Sequence, residues 1–224
     1  KEKFKVNVDI TPVTTTDPEI ITVNYNSVLS LSIDGIYGNQ YILPKVKVEV
    51  SGRSMSEPVS EIALDSMIDQ VYPKAPFTEP KFMARAVLPE RTFLEKVFLL
   101  HEEFTKPKEL IRVERMSRHM YDIGQILKTP IAERAINDAD LYRQVIEHRR
   151  TFIGLRGFDY DTLYPATLNI IPPASIVEQW RTDYESMRLY MIYGESLSFE
   201  ELISNLKDLN VRIKDFHTIF TNDK

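Results

Sequence analysis

The chain has no cysteine anywhere in its 224 residues. A disulfide framework, a thiolate zinc site and a cysteine nucleophile are therefore excluded, and the composition suits a reducing cytosol, so a cytoplasmic location is expected. Long apolar runs are missing too. No stretch approaches the roughly eighteen consecutive apolar residues that a membrane helix requires, and no membrane partner is expected. The opening KEKFKVNVDI lacks the pattern of a signal peptide and has no initiator methionine, so Lys1 is expected not to be the natural start. Excess positive charge is also absent. With 28 Lys and Arg against 33 Asp and Glu the net charge is −5, which argues against a sequence-blind nucleic-acid coat. A local basic cleft is compatible with that balance, with Arg112, Arg115 and Arg118 as one candidate group and Arg143, Arg149, Arg150 and Arg156 as another. No P-loop, GxSxG elbow or HExxH motif occurs, so the common ATPase, hydrolase and zinc-protease readings lose support.

What is present is an ordinary globular composition, 43% hydrophobic and 27% charged, long enough for one large domain or two small ones. The first third reads as β. Phe4, Val6, Val8 and Ile10 alternate with polar residues, 20–32 holds a second strand or a hairpin, and Gly35 and Gly38 punctuate a turn. Val46, Val48 and Val50 then alternate with Lys45, Lys47 and Glu49. Residues 71–89 carry four prolines and form the best linker candidate. Beyond Pro89 the apolar spacing becomes helical, through Phe93, Val97, Leu100, His101 and Phe104 and then through Val113, Met116, Met120, Ile123 and Leu127. Further helices are expected over 131–152, 175–193 and 199–220, the last opened by a Ser198/Glu201 capping box. The expected fold class is α+β, a mixed sheet followed by a helical region. The expected division is a β-rich domain over 1–80 and a helical domain over 81–224.

Three groups of residues could carry chemistry. Glu49 stands on the polar side of an otherwise apolar strand, where a rigidly held carboxylate can reach a metal ion; read alone, the same pattern describes a solvated strand face. Lys96 falls on the flank of a buried helical arc, where a lysine either snorkels outward or meets an anion. Arg115, Arg118 and Asp122 share one helical face, which suits a phosphate or a plain charged surface. His101 lies within the apolar arc and reads as a packed histidine. Asp138-Ala-Asp140 imitates a paired-aspartate metal motif, but its setting is helical and no phosphate-binding Gly-Ser turn precedes it.

These groups gain meaning from their order. YILPKVKVEVSGRSMSEP, VLPERTFLEKVFLLHEEF, RMSRHMYDIGQIL and DYESMRLYMIYG resemble successive blocks of the AbiEii/AbiGii family of nucleotidyltransferase toxins, from about Tyr25 onward. The PERTFLEK…LH and SRHxYD blocks are the most specific. The resemblance implies a partial nucleotidyltransferase-like sheet with a helical domain. It implies transfer of a nucleotide from an NTP, with Mg2+, to an acceptor that is tRNA for some members, and a cognate antitoxin protein as partner. It also implies Glu49 as the third carboxylate of the metal site, and Lys96 and Asp122 as catalytic residues of the nucleotide cleft. Arg91, Arg118 and His119 are the supporting, substrate-binding candidates. The family's Gly-Ser turn and paired aspartates are not found here. Asp9, the only nearby strand carboxylate, does not fit their motif, so the expectation is a missing N-terminal part or a member that has lost catalysis. A reading from another class is a non-catalytic protein on the same fold that binds an antitoxin or RNA.

Overall fold

The computed structural model describes residues 7–11, 19–24, 45–50, 58–76 and 78–216. Strands β1 (Asn7–Thr11), β2 (Glu19–Asn24) and β3 (Lys45–Val50) form an antiparallel sheet in that order. The register aligns Val8 with Val23 and Val46, and Ile10 with Ile21 and Val48. The intervening rows align Asp9 with Thr22 and Lys47, and Thr11 with Ile20 and Glu49. Because successive residues of a strand alternate between faces, the positions of Val8, Ile10, Ile21, Val23, Val46 and Val48 share one face, and those of Asp9, Lys47 and Glu49, with Ile20 among them, share the other. The Gly35/Gly38 turn, the remainder of 20–32 beyond Asn24, and Ser51 to Ser54 lie outside the described residues.

Strand β4 (Val59–Leu64) pairs antiparallel with β5 (Phe82–Val87), from Val59 against Val87 to Leu64 against Phe82. Between them runs the short helix α1 (Met67–Val71), whose cap Ser66 accepts from the Asp69 amide at 3.0 Å. The 71–89 segment expected to be a linker therefore contains a paired strand. Its prolines bound that strand instead of dissolving it: Pro73 and Pro76 sit in turns, Pro80 precedes β5, and Pro89 is the first residue of the next helix. Each stands where no ladder N–H is required. The expected division at 80/81 falls between the two partners of this hairpin.

The rest is helical: α2 (Pro89–Phe104), α3 (Ser117–Ile126), α4 (Ile131–Asn137), α5 (Ala139–His148), α6 (Val177–Tyr190) and α7 (Phe199–Asp215). Helix α2 is central. Phe93, Leu94, Val97, Phe98 and Leu100 are fully buried, and the helix packs against α3, α4 and α5. Each such side chain withdrawn from water contributes about 1.5–3 kcal/mol before conformational entropy is counted. Tyr142 meets Phe98 edge-on at 4.9 Å, and Trp180 of α6 meets Phe104 edge-on at 4.7 Å.

The single helix expected over 131–152 is instead two helices and a π-helical turn. Asp138 leaves the helical conformation (ψ 88°) and its carboxylate accepts from the Leu141 amide at 2.9 Å, starting α5 afresh. Asp138 is thus a helix cap, and Asp140 pairs with Arg143 one turn on, which accounts for both aspartates of the decoy motif. Arg149–Ile153 then forms the π turn, closed by Gly154 at φ 56°. The Ser198/Glu201 capping box on α7 is present as expected.

Candidate functional site

The helices α2 and α3 lie side by side, and their facing flanks bring Lys96 and Asp122 together, Nζ to Oδ2, at 2.7 Å. Lys96 stands where the sequence placed it, at the margin of the buried arc, 21% exposed, and it meets an anion instead of reaching into solvent. His119 precedes Asp122 by nearly one helical turn and shares this environment. Burial, then the positive charges of Lys96 and Arg118, depress its pKa to about 4, against a smaller opposing pull from Asp122. Its Nδ1 is buried and has no hydrogen-bond partner. Arg118 is exposed, and no ion pair involving it is found among the described residues. Lys96 and Arg118 against Asp122 leave this corner one positive charge in excess, with a neutral imidazole beside it. Such a corner can receive an anion, which would compete with Asp122 for the Lys96 ammonium.

Several contacts hold α3 in position. Glu103, buried at the end of α2, accepts from the backbone N–H of Arg112 at 2.7 Å, from its guanidinium at 2.9 and 2.7 Å, and from Lys106 at 2.8 Å. Burial alone would raise the Glu103 carboxyl, but the bonds from Arg112 and Lys106 outweigh it and hold the group below its ordinary value. Arg112 is thereby committed and does not belong to a free basic cleft. Arg115 follows at φ 59°, left-handed and unable to continue a right-handed helix, so α3 starts only at Ser117, and Val113 and Met116 fall in the turn before it. The carboxylate of Asp183 on α6 accepts from the Arg115 amide at 2.7 Å, the Ser117 amide at 3.0 Å and the Ser117 hydroxyl at 2.5 Å. Nothing in the sequence pattern marks Asp183 for this, because its donors lie 66 and 68 residues away.

The other expected site residues fall elsewhere. Arg91, 2% exposed, is turned inward on α2 and bonds Glu95 through Nε at 3.2 Å and Nη2 at 2.7 Å. His101 is a packed histidine, as its position in the arc indicated. Its Nδ1 accepts from the Asn169 amide at 2.9 Å, and its Nε2 is 3.0 Å from the Thr162 hydroxyl. Glu49 stands on β3 opposite Ile20. Among the described residues no three His, Asp or Glu side chains converge as a metal site. The corner around Lys96 does not suit a cation, because Asp122 is neutralised there and positive charge prevails. One surface hollow of about 510 Å³ is bounded by Glu185, Arg188, Leu189 and Ser196, and another of about 410 Å³ by Glu102, Lys106, Leu110 and Phe158; neither involves Lys96, Asp122 or His119.

No curated protein and no solved structure matches the chain. A family model does: that of the nucleotidyl transferase AbiEii toxin of type IV toxin–antitoxin systems matches residues 1–205, which include the β strands, the Lys96–Asp122 pair and Asp183. The resemblance carried by the PERTFLEK and SRHMYD blocks thus extends over nearly the whole chain, and the protein belongs to the AbiEii family of nucleotidyltransferase-like toxins.

Proposed function

We propose that this protein transfers a nucleotide from an NTP to an acceptor, tRNA being the candidate, and that Lys96, Asp122, His119 and Arg118 form the part of the cleft that handles the triphosphate. The observation that carries this reading is the 2.7 Å contact between Lys96 and Asp122, which joins the two blocks most specific to the family. In the reaction the acceptor hydroxyl oxygen bonds to the α-phosphorus, the bond to pyrophosphate breaks, and the hydroxyl proton is released. Lys96 is a compact charge that can neutralise oxygens of the departing pyrophosphate. Asp122 keeps the ammonium on the cleft side of α2 until the nucleotide arrives. His119, neutral at physiological pH, can exchange hydrogen bonds with the nucleotide without adding charge. Arg118, exposed beside it, offers a second cation to phosphate.

A divalent ion, Mg2+ in this reading, accompanies the NTP, and Glu49 is the position proposed to hold it. The described side chains do not compose that site, so no step is routed through it. A cognate antitoxin protein is the partner expected of a toxin in this family. No helix among the described residues is long and apolar enough to cross a membrane, and a cytoplasmic site of action remains part of the proposal.

The test is transfer itself. The chain, and a version extended upstream, would be incubated with each labelled NTP, magnesium and total tRNA. Lys96→Ala and Asp122→Ala should each lower transfer by about 100-fold or more, and Glu49→Ala should abolish it. Absence of both nucleotide binding and transfer in both versions would sink the reading. Retained binding to RNA or antitoxin without transfer would instead support the non-catalytic alternative.

A further inference from the structure

We propose that Asp183 is a positioning residue for the nucleotide cleft: from α6 it fixes the start of α3 so that Asp122 arrives beside Lys96. The proposal rests on the cleft reading given above. Asp183 accepts three hydrogen bonds, from the Arg115 amide at 2.7 Å, the Ser117 amide at 3.0 Å and the Ser117 hydroxyl at 2.5 Å. These donors are Arg115, two residues before α3, and Ser117, its first residue, so the carboxylate sets where the helix begins. It also holds Arg115 in the left-handed conformation that turns the chain into the helix. The helix has no cap of its own, because Met116 at the cap position makes no side-chain bond to the first turn.

A second contact fixes the other end. A Cβ on Gly124 would lie 2.7 Å from Leu202 Cδ1, so α3 presses closely on α7 there. Asp122 stands between these two anchors. In an α-helix a slip of one residue rotates a side chain by about 100° and moves it about 1.5 Å along the axis. Either displacement is enough to part Asp122 from Lys96, because a contact of 2.7 Å has little tolerance. An asparagine at 183 cannot replace the carboxylate, since one of its two terminal groups is a donor and would face N–H groups.

The experiment compares D183N, D122N and the double variant in the full chain, extended upstream if transfer requires it. Amide hydrogen exchange at Arg115 and Ser117 in D183N should quicken by about 10-fold or more, while the amides of α2 and α7 keep their protection. Transfer kcat/KM should fall by about 10- to 100-fold, as misplacement of a catalytic group by about an ångström does. The double variant should be no worse than D122N alone, because both changes break the same arrangement. Losses that multiply, or near-normal transfer by D183N, would overturn the proposal. If even the unsubstituted protein transfers nothing, the cleft reading fails separately. The positioning of α3 is then judged by the exchange result and by the same cycle in melting temperature, where simple additivity overturns it.

Discussion

Burial depresses the proton affinity of two histidines in the helical region, and only one of them has both ring nitrogens satisfied. His101 lies between Asn169 and Thr162, and the Thr162 hydroxyl donates onward to the Asp159 carbonyl at 2.6 Å. That chain fixes its tautomer, with the proton on Nε2, and serves packing. His119 has an orphaned Nδ1 and three cations in its field, from Lys96, Arg118 and Arg112. The consequence is measurable. Its pKa in the folded protein, about 4, lies below the ordinary 6.5. As pH falls through that interval the unfolded chain binds a proton that the folded chain refuses, so stability present above about 6.5 is lost towards 4. His119→Gln should remove this contribution and leave that of His101. Melting temperature followed from pH 7 to pH 4 should therefore fall more steeply in the unsubstituted protein than in the variant. Parallel curves would show that His119 is protonated equally in both states.

At the scale of elements, the feature with most at stake is the joint between α2 and the end of α5. Glu102 and Arg149 are both buried, and they make a two-pronged pair at 2.6 and 2.5 Å. Removing one partner strands a charge that is largely withdrawn from solvent. Arg149→Met alone should cost about 3–5 kcal/mol, which at about 2–4 °C per kcal/mol for a chain of this size is a large drop in melting temperature. Adding Glu102→Leu should recover most of it, since an apolar pair of similar volume needs no solvation. A double variant as unstable as the single one would show that the pair does more than neutralise itself. Neither partner was recognisable in sequence, where Glu102 was one acid of HEEF and Arg149 one base of HRR. What was legible was local. The arc of α2, the Ser198 cap and the helical setting of Asp138 all follow from spacing within one or two turns. The break at Asp138 was not foreseen, because the apolar spacing runs on through a residue that the carboxylate removes from the helix. Strand β5 was hidden by the prolines around it. The candidate site divides the same way: Lys96, Asp122 and His119 are singled out by their own blocks, whereas Asp183 bonds across 66 residues and leaves no local mark.

At the scale of the molecule, every buried apolar core residue among the described residues lies between Phe93 and Phe216. Strands β4 and β5 contribute none of it; Phe82 and Met83 on β5 are 62% and 61% exposed. The helical part therefore has a core of its own, and we infer that it folds as a domain. The hairpin partners β4 and β5 stand on either side of residue 80, so where a fragment begins decides its behaviour. A fragment of residues 88–224 should express as a helical protein that melts cooperatively. A fragment of residues 81–224 should be less soluble, because it carries β5 without β4, an unpaired strand with exposed Phe82 and Met83. Size-exclusion chromatography and thermal unfolding of the two, side by side, check both statements, and an unfolded 88–224 fragment would refute the division. The same fragment separates the halves of the proposed mechanism. It retains Lys96, Asp122, His119 and Asp183 but lacks Glu49, so it should hold a triphosphate weakly and transfer nothing. Affinity for the triphosphate that survives in the fragment and disappears with Lys96→Ala would assign phosphate binding to the helices and leave transfer dependent on the strands before them.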